Sequence, residues 1–185
     1  LPFRLWGSAM RSAAHRSIRG SRFRIFLILI SIPEQKINGT SISSTNIRNS
    51  LKNGDISTAN AMLGSSFSFT STVIHGQEIG RTLGFPTANL VYPKKIVNLK
   101  YGVYSVKIEL DKQFYDGIMN FGKKPTINKS PEVNAEGHIL NFDQNIYDKE
   151  IKIYVTEYIR EEKKFASPDE LKKQISIDIS NIISL

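Results

Sequence analysis

Five short runs between Phe67 and Ile159, FSFTSTVI, GVYSVKIEL, FYDGIMNF, EGHILNF and IKIYVTEYI, limit the possible folds more than any other feature of the chain. Each is rich in β-branched and aromatic residues, and clusters of Pro, Gly, Asn and Asp separate them. In the last run Ile151, Ile153 and Val155 alternate with Lys152, Tyr154 and Thr156, the period of a strand with one buried face. Runs spaced this closely leave no room for crossover helices. The sheet is therefore antiparallel, and closing it into a small barrel removes its edges. One helix follows: Ser167-Pro168-Asp169-Glu170 has the form of a capping box with Pro in the first turn, and Leu171, Ile175, Ile179 and Ile182 then share a face.

Upstream of the strands, Asn38-Gly39 marks a turn, and Ser44 or Thr45 can cap a short helix closed by Gly54. Asp55 caps a second helix that stops at Gly64, with a linker at Gly64-Ser65-Ser66. The apolar run IFLILISI at 25–32 is about half the length a membrane span requires and reads as a buried strand.

The net charge of +8 suggests a nucleic-acid binder until it is divided along the chain. Arg4, Arg11, Arg16, Arg19, Arg22 and Arg24 precede the first acidic residue, Glu34, leaving nineteen bases against seventeen acids over the remainder. The part that folds is close to neutral, so no nucleic-acid partner is expected. The chain has no Cys and three scattered His, which excludes disulfides and thiolate metal sites and mildly favours a cytoplasmic location. The Arg-rich, acid-free opening also has the composition of an organellar transit peptide.

HGQEIGRTLGFPTANL at 75–90 concentrates the polar and permissive residues. Gly76, Gly80 and Gly84 suit a loop that bends sharply or admits a ligand to its backbone, and Arg81 could meet a polyphosphate there. The spacing is neither that of a P-loop nor that of a dinucleotide fingerprint. Thr87 and Asn89 stand two apart and project to one side of an extended segment. Their oxygens either share Mg²⁺ with phosphate oxygens and water, or simply fasten a turn after Pro86. Glu136, two before His138, is either a carboxylate paired with a cation on an exposed face or a buried acid with a catalytic task. His138 reads as a structural hydrogen-bonder.

GRTLGFPTANL at 80–90, GVYSV at 102–106, NFGKKPT at 120–126, EGHILNF at 136–142 and IREEKKFAS at 159–167 together resemble riboflavin kinase, in the order that family shows them. The resemblance covers residues 63–185. It implies a mainly β fold, a small six-stranded antiparallel Greek-key barrel with a C-terminal helix, preceded here by the short helical hairpin. It also implies transfer of the γ-phosphoryl of ATP to the 5′-hydroxyl of riboflavin, giving FMN, with Mg²⁺ as cofactor, riboflavin and ATP as the small-molecule partners, and no membrane. By position, Thr87 and Asn89 match the motif that holds Mg²⁺ and the nucleotide phosphates. Gly76, Gly80 and Arg81 fall in the loop over ATP, and Tyr147 in NIYDKEI flanks the nucleotide. Glu136 matches the base that accepts the ribityl hydroxyl's proton, and Arg160 and Phe165 fall in the segment covering the flavin.

The chain departs from the family pattern at Ser71, where Gly is expected, at Lys124, where Arg is usual, and at Ser65-Ser66, where Arg-Pro is usual. Lys does not reproduce a bidentate Arg. ISSTNIRNSLKNGDISTANAMLG resembles the end of the FMN adenylyltransferase domain that precedes the kinase in bacterial bifunctional enzymes. The expected organisation is a basic extension over 1–36, a remnant of that domain over 37–64 and the kinase domain over 65–185. The alternative is part of a bifunctional FAD synthetase, although no His-x-Gly-His motif occurs before Ile37. On this reading the hairpin is a satellite that can be deleted, with Ile42, Ile47 and Leu51 facing a lost partner domain.

Overall fold

A computed structural model of the chain describes residues 33–75, 84–123 and 133–183. The run at 25–32 and the positions Gly76, Gly80, Arg81 and Lys124 lie outside the described residues. The chain divides into two compact units, Leu1–Ser41 and Ile42–Leu185. In the first, β1 (Lys36–Ile37) pairs with β2 (Thr40–Ser41) across the expected turn, where Asn38 and Gly39 both take positive φ.

The second unit opens with α1 (Ser44–Asn53) and α2 (Ile56–Leu63). Ser43, rather than Ser44 or Thr45, caps α1: its side chain accepts from the Asn46 amide, one residue earlier than the sequence suggests. Asp55 caps α2 through the Thr58 amide, and Gly54 and Gly64 end the two helices in the left-handed conformation.

Six strands then follow: β3 (Phe67–Ile74), β4 (Ala88–Leu90), β5 (Gly102–Leu110), β6 (Gln113–Lys123), β7 (Val133–Ile139) and β8 (Glu150–Arg160). They close into one barrel in the order β3, β4, β7, β6, β5, β8, with every pairing antiparallel. The sixth strand is Ala88-Asn89-Leu90, too short to show an alternation of its own. The run EGHILNF is only partly strand: β7 stops at Ile139 because Asn141 turns the chain with φ 54.

Alternate residues fill the barrel. Ile151, Ile153 and Val155 are buried as their period requires, and Phe69, Tyr92 and Phe121 meet edge to face, with centroids 4.9 and 4.7 Å apart. Burial pushes the Tyr92 and Tyr104 phenols far above their usual range, and each donates to a backbone carbonyl instead, Tyr92 to Val97 and Tyr104 to Lys100. Ser71, where the resemblance led to an expectation of Gly, leaves no unmet polar group, because its buried hydroxyl donates to the Thr72 carbonyl.

The helix pair is part of this core. Leu51 is 1% exposed and clusters with barrel residues, and Ile47 packs against the same cluster, so the expected unpartnered face exists only at Ile42, which is 36% exposed. Asn60 ties α2 to two strands, donating to the Val155 carbonyl at 3.0 Å and accepting from the Phe67 amide at 2.7 Å.

The last element is α3 (Pro168–Ile183). Ser167 accepts from the Glu170 amide, and the Glu170 carboxylate reaches back to the amide of Ala166. The expected capping box thus forms with its return bond one residue earlier than usual.

Candidate active site

Along β7 the side chains of Ala135 and Ile139 are buried in the barrel, so Asn134, Glu136 and His138 point to the outer surface. Strand register sets their neighbours. Asn89 lies opposite Glu136, Glu136 opposite Asn120, Asn120 opposite Val103, and Val103 opposite Arg160. Directly paired residues share a side of the sheet, so one lateral row crosses five neighbouring strands. It carries an amide, a carboxylate, a second amide, an apolar spacer and a guanidinium.

A cavity of about 350 Å³ opens over this row. Glu136, Asn120, Val103 and Arg160 form its floor, Phe165 and Glu162 come from the segment after β8, and Leu171, Ile175 and Asp178 of α3 close it. Asn134 Nδ2 donates to Glu136 Oε1 at 2.8 Å and so fixes the carboxylate. His138 Nδ1 stands 2.8 Å from the Pro86 carbonyl oxygen. A carbonyl can only accept, so Nδ1 carries the hydrogen, and the bond clamps the start of the Pro-Thr-Ala-Asn segment to the strand bearing Glu136.

A second cavity, about 420 Å³, lies on the other side of Thr87, walled by Val73, Ala88, Gly137 and the loop from Phe142 to Tyr147. That loop is pinned to β3 by Asp148 N–H to the Val73 carbonyl and Val73 N–H to the Lys149 carbonyl. Tyr147 stacks on His75 with centroids 3.8 Å apart. Thr87 lines both cavities. Asn89 lines neither, but its register puts it beside Glu136. Gly84 takes φ 85, a conformation that favours glycine, at the turn leading into Phe85 and Pro86.

Of the residues singled out in the sequence, Thr87, Glu136, Arg160 and Phe165 come together around one cavity and Tyr147 borders its neighbour, while Gly76, Gly80 and Arg81 fall outside the described residues. Arg160 does not present a free guanidinium: Nε donates to both oxygens of Asp178 at 3.0 Å, Nη2 to Oδ2 at 2.7 Å and Nη1 to the Glu161 carbonyl at 3.0 Å. Its carbon lies 5.9 Å from the Phe165 ring centroid. Asn120, Asn134, Glu162 and Asp178 were not singled out. The signal for Asp178 was its place on the helical stripe with Leu171 and Ile175; that for Asn120 emerges only from strand register.

The family model for riboflavin kinase (Flavokinase) matches residues 63–185. The bifunctional riboflavin kinase/FMN adenylyltransferase of Haemophilus influenzae is 42% identical over 139 residues, covering 75% of this chain and 44% of that protein. The corresponding protein of Buchnera aphidicola subsp. Schizaphis graminum is 45% identical over 145 residues, covering 77% and 46%. A crystal structure described as a macrolide-efflux protein from Streptococcus pneumoniae superposes with a TM-score of 0.80 at 33% identity, covering 84% of this chain and 51% of that one. The chain spans less than half the length of these curated relatives. With the family model matching well over half of its residues on a closed six-stranded barrel, the chain belongs to the riboflavin kinase family, and residues 63–185 are its riboflavin kinase domain.

Proposed function

We propose that the chain transfers the γ-phosphoryl of ATP to the 5′-hydroxyl of riboflavin, with riboflavin in the cavity over Glu136 and the nucleotide in the cavity beside Tyr147. The observation that carries this reading is the meeting of the two cavities at Thr87. In-line transfer needs donor and acceptor to approach from opposite sides of one point. The acceptor side holds the only carboxylate in the cross-strand row. Glu136 takes the 5′-hydroxyl proton as that oxygen bonds to the γ-phosphorus, and the bond from phosphorus to the β-phosphate bridging oxygen breaks to release ADP. Phe165 and the guanidinium plane of Arg160 supply a wall against which isoalloxazine packs.

The donor set also fits Mg²⁺. Among the described residues no cluster of three His, Cys, Asp or Glu could hold a metal ion by itself. Thr87 and Asn89 offer hard neutral oxygens that suit an ion sharing phosphate oxygens and water. When bound, Mg²⁺ neutralises charge developing on the transferred group. Thr87→Val and Asn89→Leu should each raise the Mg²⁺ concentration needed for half-maximal rate while leaving the melting temperature within a few degrees. Unchanged Mg²⁺ titrations in both would make the pair a turn fastener.

For the upstream segment, we infer that residues 37–64 correspond to the end of the adenylyltransferase half of longer relatives. The curated matches extend over 139 and 145 residues, more than the family model's span from 63 to 185, which supports this reading. The efflux description of the structurally similar protein has no counterpart in this barrel. No described helix is long and apolar enough to cross a membrane, and the barrel interior is an apolar core rather than a polar lumen. Incubation with riboflavin, ATP and Mg²⁺ followed by chromatography tests the whole assignment. FMN should accumulate; no FMN would remove the kinase reading, and FAD would add a second activity.

A further inference from the structure

We propose that Asp178 is a positioning residue of the flavin pocket, acting through Arg160 to set the pocket wall formed by Arg160 and Phe165. The proposal rests on assigning the cavity over Glu136 to riboflavin. Asp178 is 1% exposed, on the face of α3 that closes the cavity. Both of its oxygens are engaged, accepting from Arg160 Nε and Nη2 and, at Oδ1, from Gln174 Nε2 at 2.8 Å. Gln174 lies one helical turn before Asp178 and holds the carboxylate from within α3. The guanidinium is thereby held in a bidentate fork, which fixes the orientation of its plane.

An ion pair this dry is a poor way to gain stability, since two apolar side chains of similar size would serve as well or better. What it supplies is placement. Arg160 ends β8, and its remaining donor, Nη1, holds the carbonyl of Glu161, the first residue of the segment leading to Phe165. The same segment is tied at two further points. Lys100 Nζ lies 3.0 Å from the Glu161 carboxylate, which holds that ammonium above its ordinary range, and Asn120 Nδ2 donates to Glu162 Oε1 at 3.4 Å. Glu162 also lies against Gly122, so closely that a Cβ there would displace it. Asp178 is the member of this set that links the segment to α3, so it sets the distance between the helix and the floor that the flavin must enter.

The test compares riboflavin and ATP in one variant. Asp178→Asn keeps shape and volume but removes the charge that orients the guanidinium. Riboflavin Kd, read by quenching of flavin fluorescence, should rise about tenfold or more, while the KM for ATP stays within about twofold. Should Asp178→Asn fold poorly, Gln174→Leu keeps the ion pair and removes only the donor to Oδ1; riboflavin Kd should then rise about threefold. A riboflavin Kd unchanged in the folded variant, or an equal loss for riboflavin and ATP, would overturn the positioning role. Wild-type protein that does not quench flavin fluorescence would overturn the pocket assignment and this proposal with it, whereas wild-type binding with an unaffected variant overturns this proposal alone.

Discussion

Glu136→Gln should lower kcat by about 10² to 10⁴, the usual cost of deleting a general base, while riboflavin and ATP continue to bind. The geometry explains why this isosteric change is so damaging. Asn134 donates to one carboxylate oxygen at 2.8 Å, leaving the other for the substrate hydroxyl. A glutamine that keeps the Asn134 bond through its carbonyl must turn its NH₂ toward the hydroxyl, opposing donor to donor where a proton has to be received. The side chain projects outward from β7, away from the barrel core, so the melting temperature should change little. Single-turnover measurement with saturating substrates separates chemistry from binding. A variant retaining more than about a tenth of the wild-type rate would remove Glu136 from the role.

The strands were legible because their physics is local. The period of two in IKIYVTEYI and the punctuation around GVYSVKIEL identify elements that the structure reproduces to within a residue. Boundaries set by a single dihedral were less so, as at Asn141, where a left-handed turn ends β7 inside an apparently continuous run. The site was legible only in parts. Thr87 is marked by its two-residue spacing from Asn89 and Glu136 by its place between apolar runs, but the row from Asn89 to Arg160 depends on register between strands far apart in sequence, and no local pattern encodes that. Asp178 was hidden differently: a carboxylate within an apolar helical stripe looks like an exception until its partner, eighteen residues earlier, is brought beside it.

The helix pair shows the same limit, and the structure reverses what its sequence suggests. Deleting residues through Met62 should unfold or severely destabilise the barrel rather than leave it intact. Leu51, Ile56 and Ala59 are at most 2% exposed and belong to the barrel's hydrophobic cluster, and α1 ends with Gly54 against the Tyr158 ring. The Lys100 amide donates to the Leu51 carbonyl at 3.2 Å. Removing the pair strips those contacts and also orphans the two backbone groups that Asn60 satisfies, the Phe67 N–H and the Val155 carbonyl, at about 1 to 3 kcal/mol each where water cannot replace the lost partner. A milder version of the test is Leu51→Ala, which should cost about 2 to 5 kcal/mol, as large-to-small changes at well-packed sites do. Urea unfolding followed by tryptophan-independent far-UV circular dichroism reads both. A truncated chain whose urea midpoint matches that of the intact one, or a Leu51→Ala unfolding free energy lowered by less than about 1 kcal/mol, would show that the helices only rest on the barrel and that the core closes without them.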